Sequence, residues 1–229
     1  MLTPMQYEWI LFDADETLFH FDSFAGLKLM FSEFGIDFGE EDYSNYQTIN
    51  RPLWNEYQNG TITADQVQTL RFDHWSQKIG VPSQTLNGEF LNAMAKICAP
   101  LPGARELIGA LKDKVQMGII TNGFTQLQRI RLDRTGMSDA FSVLVISEQV
   151  GVAKPDRGIF DHAFQLMNHP SREKVLMVGD NLHSDVVGGL NAGIHTCWVN
   201  NHGHDLPEGI IPHYQVRTLG ELRDLLLGK

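Results

Sequence analysis

The stretch WILFDADETLF (residues 9–19) decides how this chain folds. Trp9 to Phe12 form a short apolar run that ends in three acids, Asp13, Asp15 and Glu16. Such a run is too short for a helix and suits a strand buried on both faces. Carboxylates at the end of a buried strand repel one another and are costly to desolvate unless something positive faces them. The stretch therefore predicts a strand that opens either onto a solvated turn or onto a site for positive charge.

Four similar runs follow: VQMGII (115–120), VLVI (143–146), KVLMV (174–178) and HTCWV (195–199). Residues 103–113, 124–135, 158–167, 184–192 and 218–227 carry apolar residues three and four apart, the period of a helix. Strands alternating with helices predict an α/β fold, a doubly wound, Rossmann-like parallel sheet. Residues 20–98 break this alternation. They hold helical patterns only, at 22–35 with Asp22 and Gly35 as caps, at 44–60, at 63–80 and at 82–97. Pro52 predicts a break or kink in the second of these. About four helices without a strand predict an inserted helical cap, with residues 98–104 as the return linker. The domain expectation is a catalytic core of residues 1–19 and 99–229 and a cap of residues 20–98. No internal repeat or low-complexity segment is visible.

The bulk properties narrow the function. The 229 residues are 42% hydrophobic and 20% charged, an ordinary soluble balance. A net charge of −10 argues against a nucleic-acid polymer as partner. No apolar run approaches the length of a membrane span, so no membrane partner is expected. Cys98 and Cys197 form neither a metal pattern nor a disulfide framework. The first residues, MLTPMQYEW, show no basic segment followed by an apolar one. Together these place the chain in the cytoplasm. Oligomeric state is not legible. The histidines show no metal-binding spacing, and His202 and His204 read as loop residues.

In an open parallel sheet, ligands bind beyond the carboxyl ends of the strands. The residues that follow the apolar runs are DADET, TNG, SEQVGVAKP and GDNLHSD. This set resembles the haloacid dehalogenase superfamily of phosphohydrolases. Its motifs stand in order as Asp13, Asp15 and Thr17, then Thr121, then Lys154 before Pro155, then Asp180 and Asp185. The common form has Gly after the second Asp, where this chain has Glu16, and that leaves the shape of the turn open. The resemblance implies Asp13 as nucleophile and Asp15 as general acid and base. It implies Thr121, the amides that follow it at Asn122 and beyond, and Lys154 as phosphate-binding groups. It implies Mg²⁺, with Mn²⁺ or Co²⁺ able to substitute, held by Asp13, the Asp15 carbonyl and Asp180, with Asp185 in support.

The residue types agree with this chemistry. A carboxylate is already ionised at neutral pH and attacks phosphorus without a base to activate it. The four aspartates, against Lys154 alone, leave a negative excess that a divalent cation and a protonated Asp15 would remove. Mg²⁺ prefers oxygen ligands of this kind.

Four longer stretches, FDADETLFHFDSF, INRPLWNEYQNGTIT, IITNGFTQLQRIRL and VISEQVGVAKPDRGIF, resemble bacterial pyrimidine nucleoside 5'-monophosphatases of the dUMP phosphatase type within that superfamily. The implied substrate is a phosphate monoester, a nucleoside monophosphate such as dUMP, UMP or dTMP. A phosphoglycolate or sugar-phosphate phosphatase would share the same catalytic residues, as would a phosphosugar mutase. A haloacid dehalogenase would need no acid at position 15. A receiver-like phosphoacceptor module would carry similar acids without a helical insert. The aromatics Phe21, Phe24, Phe31, Phe34, Tyr46, Trp54, Tyr57, Phe72 and Trp75 have core-like helical spacing, and one or two of them are candidates to stack on a base.

Overall fold

The computed structural model describes residues 6–228. The expectation that no secretory leader is present falls partly on residues 1–5, outside the described residues. Trp9–Phe12 form strand β1, at the centre of a six-stranded sheet of order β3-β2-β1-β4-β5-β6. The others are β2 (Gln116–Thr121), β3 (Val143–Ile146), β4 (Val175–Gly179), β5 (His195–Val199) and β6 (Tyr214–Val216). Every pairing is parallel. Phe12 lies opposite Ile119 of β2 on one side and Val178 of β4 on the other. The strand order therefore reverses at β1, and the crevice of a doubly wound sheet opens beyond its carboxyl end.

Alternation along the strands builds two cores. Ile10, Phe12, Leu176 and Val178 face one side, with Leu107, Leu111 and Leu222. Those leucines come from helices α6 (Ala104–Leu111) and α11 (Leu219–Leu227). Leu11, Val175 and Met177 face the other, with Phe160 and Phe164. Burial on both faces is why these strands read as unbroken apolar runs. The sixth strand is an addition to the five expected. It is a three-residue edge strand in which only Val216 is buried, so it leaves no run to detect.

Residues 20–98 form five helices, which corrects the expected count of about four. They are α1 (Ser23–Glu33), α2 (Glu40–Gln58), α3 (Ala64–Leu70), α4 (Asp73–Ile79) and α5 (Ser83–Ile97). The pattern at 63–80 is two helices, because the chain turns at Arg71 and Phe72 and buries both side chains. Pro52 does not end α2, another correction. Tyr46, Leu53 and Tyr57 bury one face on both sides of the proline, and that packing outweighs the lost backbone bond. Asp22 caps α1 as expected, its carboxylate accepting from Ala25 N at 2.9 Å. These helices share their own hydrophobic cluster, which includes Phe31, Phe38 and Trp75 and takes in Phe124 and Leu127 from beyond β2. The chain leaves and re-enters this segment side by side: Leu101 N donates to Leu18 O, and His20 N to Ala99 O, each at 2.9 Å.

The remaining helices flank the sheet: α6 (Ala104–Leu111), α7 (Thr125–Thr135), α8 (Ser147–Val150), α9 (Arg157–Leu166), α10 (Gly188–Asn191) and α11 (Leu219–Leu227). A π-helical turn over Leu182–Val187 leads into α10. No helix among the described residues is long and apolar enough to cross a membrane.

Candidate active site

The ends of β1, β2 and β4, with the loop after β3, converge on one cavity of about 320 Å³. Asp13 follows β1, and its amide donates to Val178 O at 2.8 Å, so the sheet ladder itself sets its position. Lys154 is buried with its ammonium 2.7 Å from Asp13 Oδ1 and 2.6 Å from Asp185 Oδ1. Burial alone would lower the Lys154 pKa, but the two carboxylates more than reverse this and hold it charged.

Asp180 follows β4 and makes no ion pair among the described residues. Thr17, fully buried, donates to Asp180 Oδ1 and accepts from its backbone N–H, both at 3.0 Å. Burial, with Asp185 and Asp13 close by, pushes the Asp180 carboxyl up to about 8. Burial and the Asp13 charge push Asp185 up to about 6, with Lys154 pulling the other way. Asp185 also accepts from Asn181 N at 3.0 Å and Ser184 Oγ at 3.2 Å. The chain comes so close there that a Cβ on Gly179 would lie 2.1 Å from Asp185 Oδ2.

Carboxylate oxygens of Asp13, Asp180 and Asp185 lie within 4.8 Å of one another. Two buried carboxylates and a half-buried one, with one ammonium shared by Asp13 and Asp185, are short of positive charge. A hard divalent cation with oxygen preference fits that donor set. Asp185 joins the other two, while the Asp15 carboxylate turns elsewhere.

Asp15 Oδ1 accepts from Arg131 Nη1 at 2.5 Å. Arg131, on α7, is 1% exposed, lies 4.6 Å from the Phe19 ring centroid, and is also bound to Gln128 Oε1. Burial raises the Asp15 pKa, and Arg131 opposes the rise. Sequence reading missed Arg131, because the helical period of α7 does not say that an arginine four residues before its end turns inward.

Thr121, buried at the end of β2, accepts from Gly123 N at 3.1 Å. The Asn122 side chain donates to Lys154 O at 2.9 Å and accepts from Lys154 N at 2.8 Å, locking the lysine loop onto the β2 loop. One Nδ2–H and the backbone amide remain for an anion. Glu16, where Gly is common, adopts φ 55°, the left-handed region that glycine favours. The turn therefore keeps its shape, and the Glu16 carboxylate accepts from Phe21 N at 2.5 Å.

The other end of the cavity is lined from the helical insert by Tyr46, Asn50, Trp54 and Arg71, and by Phe124. Trp54 and Phe124 lie 5.2 Å apart between centroids, inclined by 31°. Tyr46 and Trp54 belong to the aromatics that the sequence singled out. Arg71 was missed, because its burial follows from the turn between α3 and α4, which the sequence pattern did not show.

Comparison with known proteins agrees with this geometry. A family model for a hydrolase, haloacid dehalogenase-like hydrolase, matches residues 7–193. The pyrimidine 5'-nucleotidase YjjG of Escherichia coli (strain K12) is 53% identical, over 97% of this chain and 99% of that one. The pyrimidine 5'-nucleotidase PynA of Streptococcus pneumoniae is 32% identical, over 97% and 96%. The HAD-hydrolase YfnB of Bacillus subtilis, solved bound to magnesium and showing interdomain movement, superposes with a TM-score of 0.83. It is 31% identical, with 96% of this chain and 98% of that one covered.

Proposed function

The chain belongs to the haloacid dehalogenase-like hydrolases, and from that premise we propose that it is a Mg²⁺-dependent 5'-nucleotidase of pyrimidine nucleoside monophosphates such as dUMP, UMP and dTMP. The observation that carries the reading is the single cavity that joins the Asp13 carboxylate to the Trp54–Phe124 pair. It can hold a phosphate at one end and an aromatic base at the other. The names carried by the full-length relatives support the same substrate class.

In this reading residues 1–19 and 99–229 are the catalytic core, and residues 20–98 are a cap that closes over the leaving group. Asp13 attacks phosphorus, and a new O–P bond forms as the ester P–O bond breaks. The departing oxygen takes a proton from Asp15. Water then attacks the aspartyl-phosphate, gives its proton to Asp15, and frees both phosphate and the Asp13 carboxylate. Thr121, the amides at Asn122 and Gly123, and Lys154 hold the phosphoryl oxygens. Asp13, Asp180, Asp185 and the Asp15 carbonyl are the groups that would hold Mg²⁺, Mn²⁺ or Co²⁺. When bound, such an ion offsets their charge and that of the phosphate. The reaction belongs in the cytoplasm.

The test is phosphate release from pyrimidine and purine monophosphates, sugar phosphates and phosphoglycolate, with Mg²⁺ and with EDTA. Pyrimidine nucleotides should be preferred and EDTA should abolish turnover. A stronger turnover of phosphoglycolate or a sugar phosphate would overturn the substrate, and full activity in EDTA would overturn the metal.

A further inference from the structure

Arg71 is a buried cation with no anion. It is 3% exposed and makes no ion pair among the described residues, yet it borders the cavity. Its Nε donates to Asn87 Oδ1 at 3.0 Å, and its Nη2 binds the same oxygen. Its guanidinium carbon lies 5.1 Å from the centroids of both Phe90 and Phe124. Asp42, in a smaller groove that Arg71 also borders, already accepts from Gly39 N at 3.0 Å. A guanidinium has five donors; Asn87 takes up one edge, and the Tyr46 hydroxyl, a neutral neighbour within hydrogen-bonding reach, leaves donors over for a ligand. A buried charge left in this condition costs stability unless a ligand completes it.

Its place says which part of a ligand that is. The phosphate end already has Lys154, and a phosphate monoester carries one phosphoryl group. Arg71 stands instead on Phe124, the ring that pairs with Trp54, so it meets the leaving group. Its position is tied to the core by a relay: Asn87 Nδ2 donates to Gln68 Oε1 at 2.8 Å, and Gln68 Nε2 to Glu148 Oε1 at 2.6 Å. Glu148 Oε2 in turn accepts from Thr125 N at 2.8 Å, at the start of α7 just beyond the Thr121 loop. The guanidinium is thus registered against the phosphate-binding loop through both parts of the molecule.

We infer that Arg71 is a specificity residue that donates from its free edge to a ring carbonyl oxygen of a pyrimidine base stacked at Trp54 and Phe124. The inference rests on the nucleotidase reading and adds the group that recognises the base. Uracil and thymine present two ring carbonyls, cytosine one and adenine none, so a guanidinium at this place favours the first three over adenine. Donors to a carbonyl that exist only when the base is present discriminate strongly against a ligand that lacks it.

The experiment compares kcat/KM for dUMP and for 2-deoxyribose 5-phosphate, which keeps sugar and phosphate but has no base. The wild-type protein should prefer dUMP. In Arg71→Met that preference should fall by about ten- to a hundredfold, mainly through KM, with a melting temperature unchanged or raised because a buried unpaired charge is gone. Arg71→Lys keeps the charge but cannot hold Asn87 with two donors and present a free edge, so its preference should fall too. It serves if the methionine variant does not fold. An equal loss on both substrates, or a preference kept in Arg71→Lys, would overturn the inference. A wild-type protein with no preference for dUMP over the sugar phosphate would instead overturn the nucleotidase reading itself.

Discussion

At the sheet end of the cavity, Asp13, Thr121 and Asp180 stand at strand ends, Asp13 and Thr121 held by the parallel ladder and the Asp180 backbone by Thr17 Oγ1 and the Trp198 indole. At the helical end, Tyr46 and Trp54 project from α2 and Arg71 from the turn between α3 and α4, elements placed by side-chain packing. The first end is charged and made of carboxylates with one lysine. The second is aromatic, with amides and one unpaired guanidinium. The difference separates two tasks. Chemistry at phosphorus needs groups fixed to fractions of an ångström, and strand ends supply that. Selection of a leaving group needs a shaped, water-excluding surface, which a packed helical segment can supply and vary.

Breaking the sheet end should have the largest effect. Asp13→Asn is expected to lower kcat by more than about 10⁴ while the fold persists by circular dichroism, because an amide cannot replace the nucleophile. Retained turnover would place the nucleophile elsewhere. Next in size is Arg131→Met, which frees Asp15 from its fixed position. A fall in kcat of about a hundredfold with KM little altered is expected from misplacement of a proton donor. A change confined to KM would instead mark Arg131 as a substrate contact.

Breaking the helical end should act on selection more than on chemistry. Trp54→Ala is expected to lower kcat/KM for dUMP by about tenfold, the worth of one stacked base, with a smaller effect on 2-deoxyribose 5-phosphate. Equal losses on the two would show that Trp54 supports the fold of the insert and not the base. The smallest effect belongs to Glu16→Gly. Relief of a left-handed backbone is worth about 1 kcal/mol, and it is opposed by loss of the Glu16–Phe21 bond. Thermal unfolding should therefore shift by only a few degrees, and a large destabilisation would show that the carboxylate, not the backbone, holds the turn.

The two ends also differed in how far the sequence revealed them. Asp13, Thr121, Lys154, Asp180 and Asp185 were legible, because each follows an apolar run or its loop and a parallel sheet brings such positions to one edge. Asp15 was legible as a residue but its partner was not. Arg131 lies 116 positions away, and no local pattern joins them. Asn122 was legible as part of the loop, but the bonds of its side chain to the Lys154 backbone, 32 positions away, were not. In the insert, helical period was plain but helix number and continuity were not. The turn at Arg71 and the unbroken passage through Pro52 both follow from which side chains the insert's core takes in.

By itself, then, the sequence determined the five long-run strands, the parallel sheet and the acids at its carboxyl edge, because period and strand-end position are local properties that register turns into geometry. Only the tertiary structure decided the short edge strand, the Arg131–Asp15 pair and the seat of Arg71. Each of these rests on burial contributed by distant residues, and burial is a property of the packed chain and not of any stretch within it.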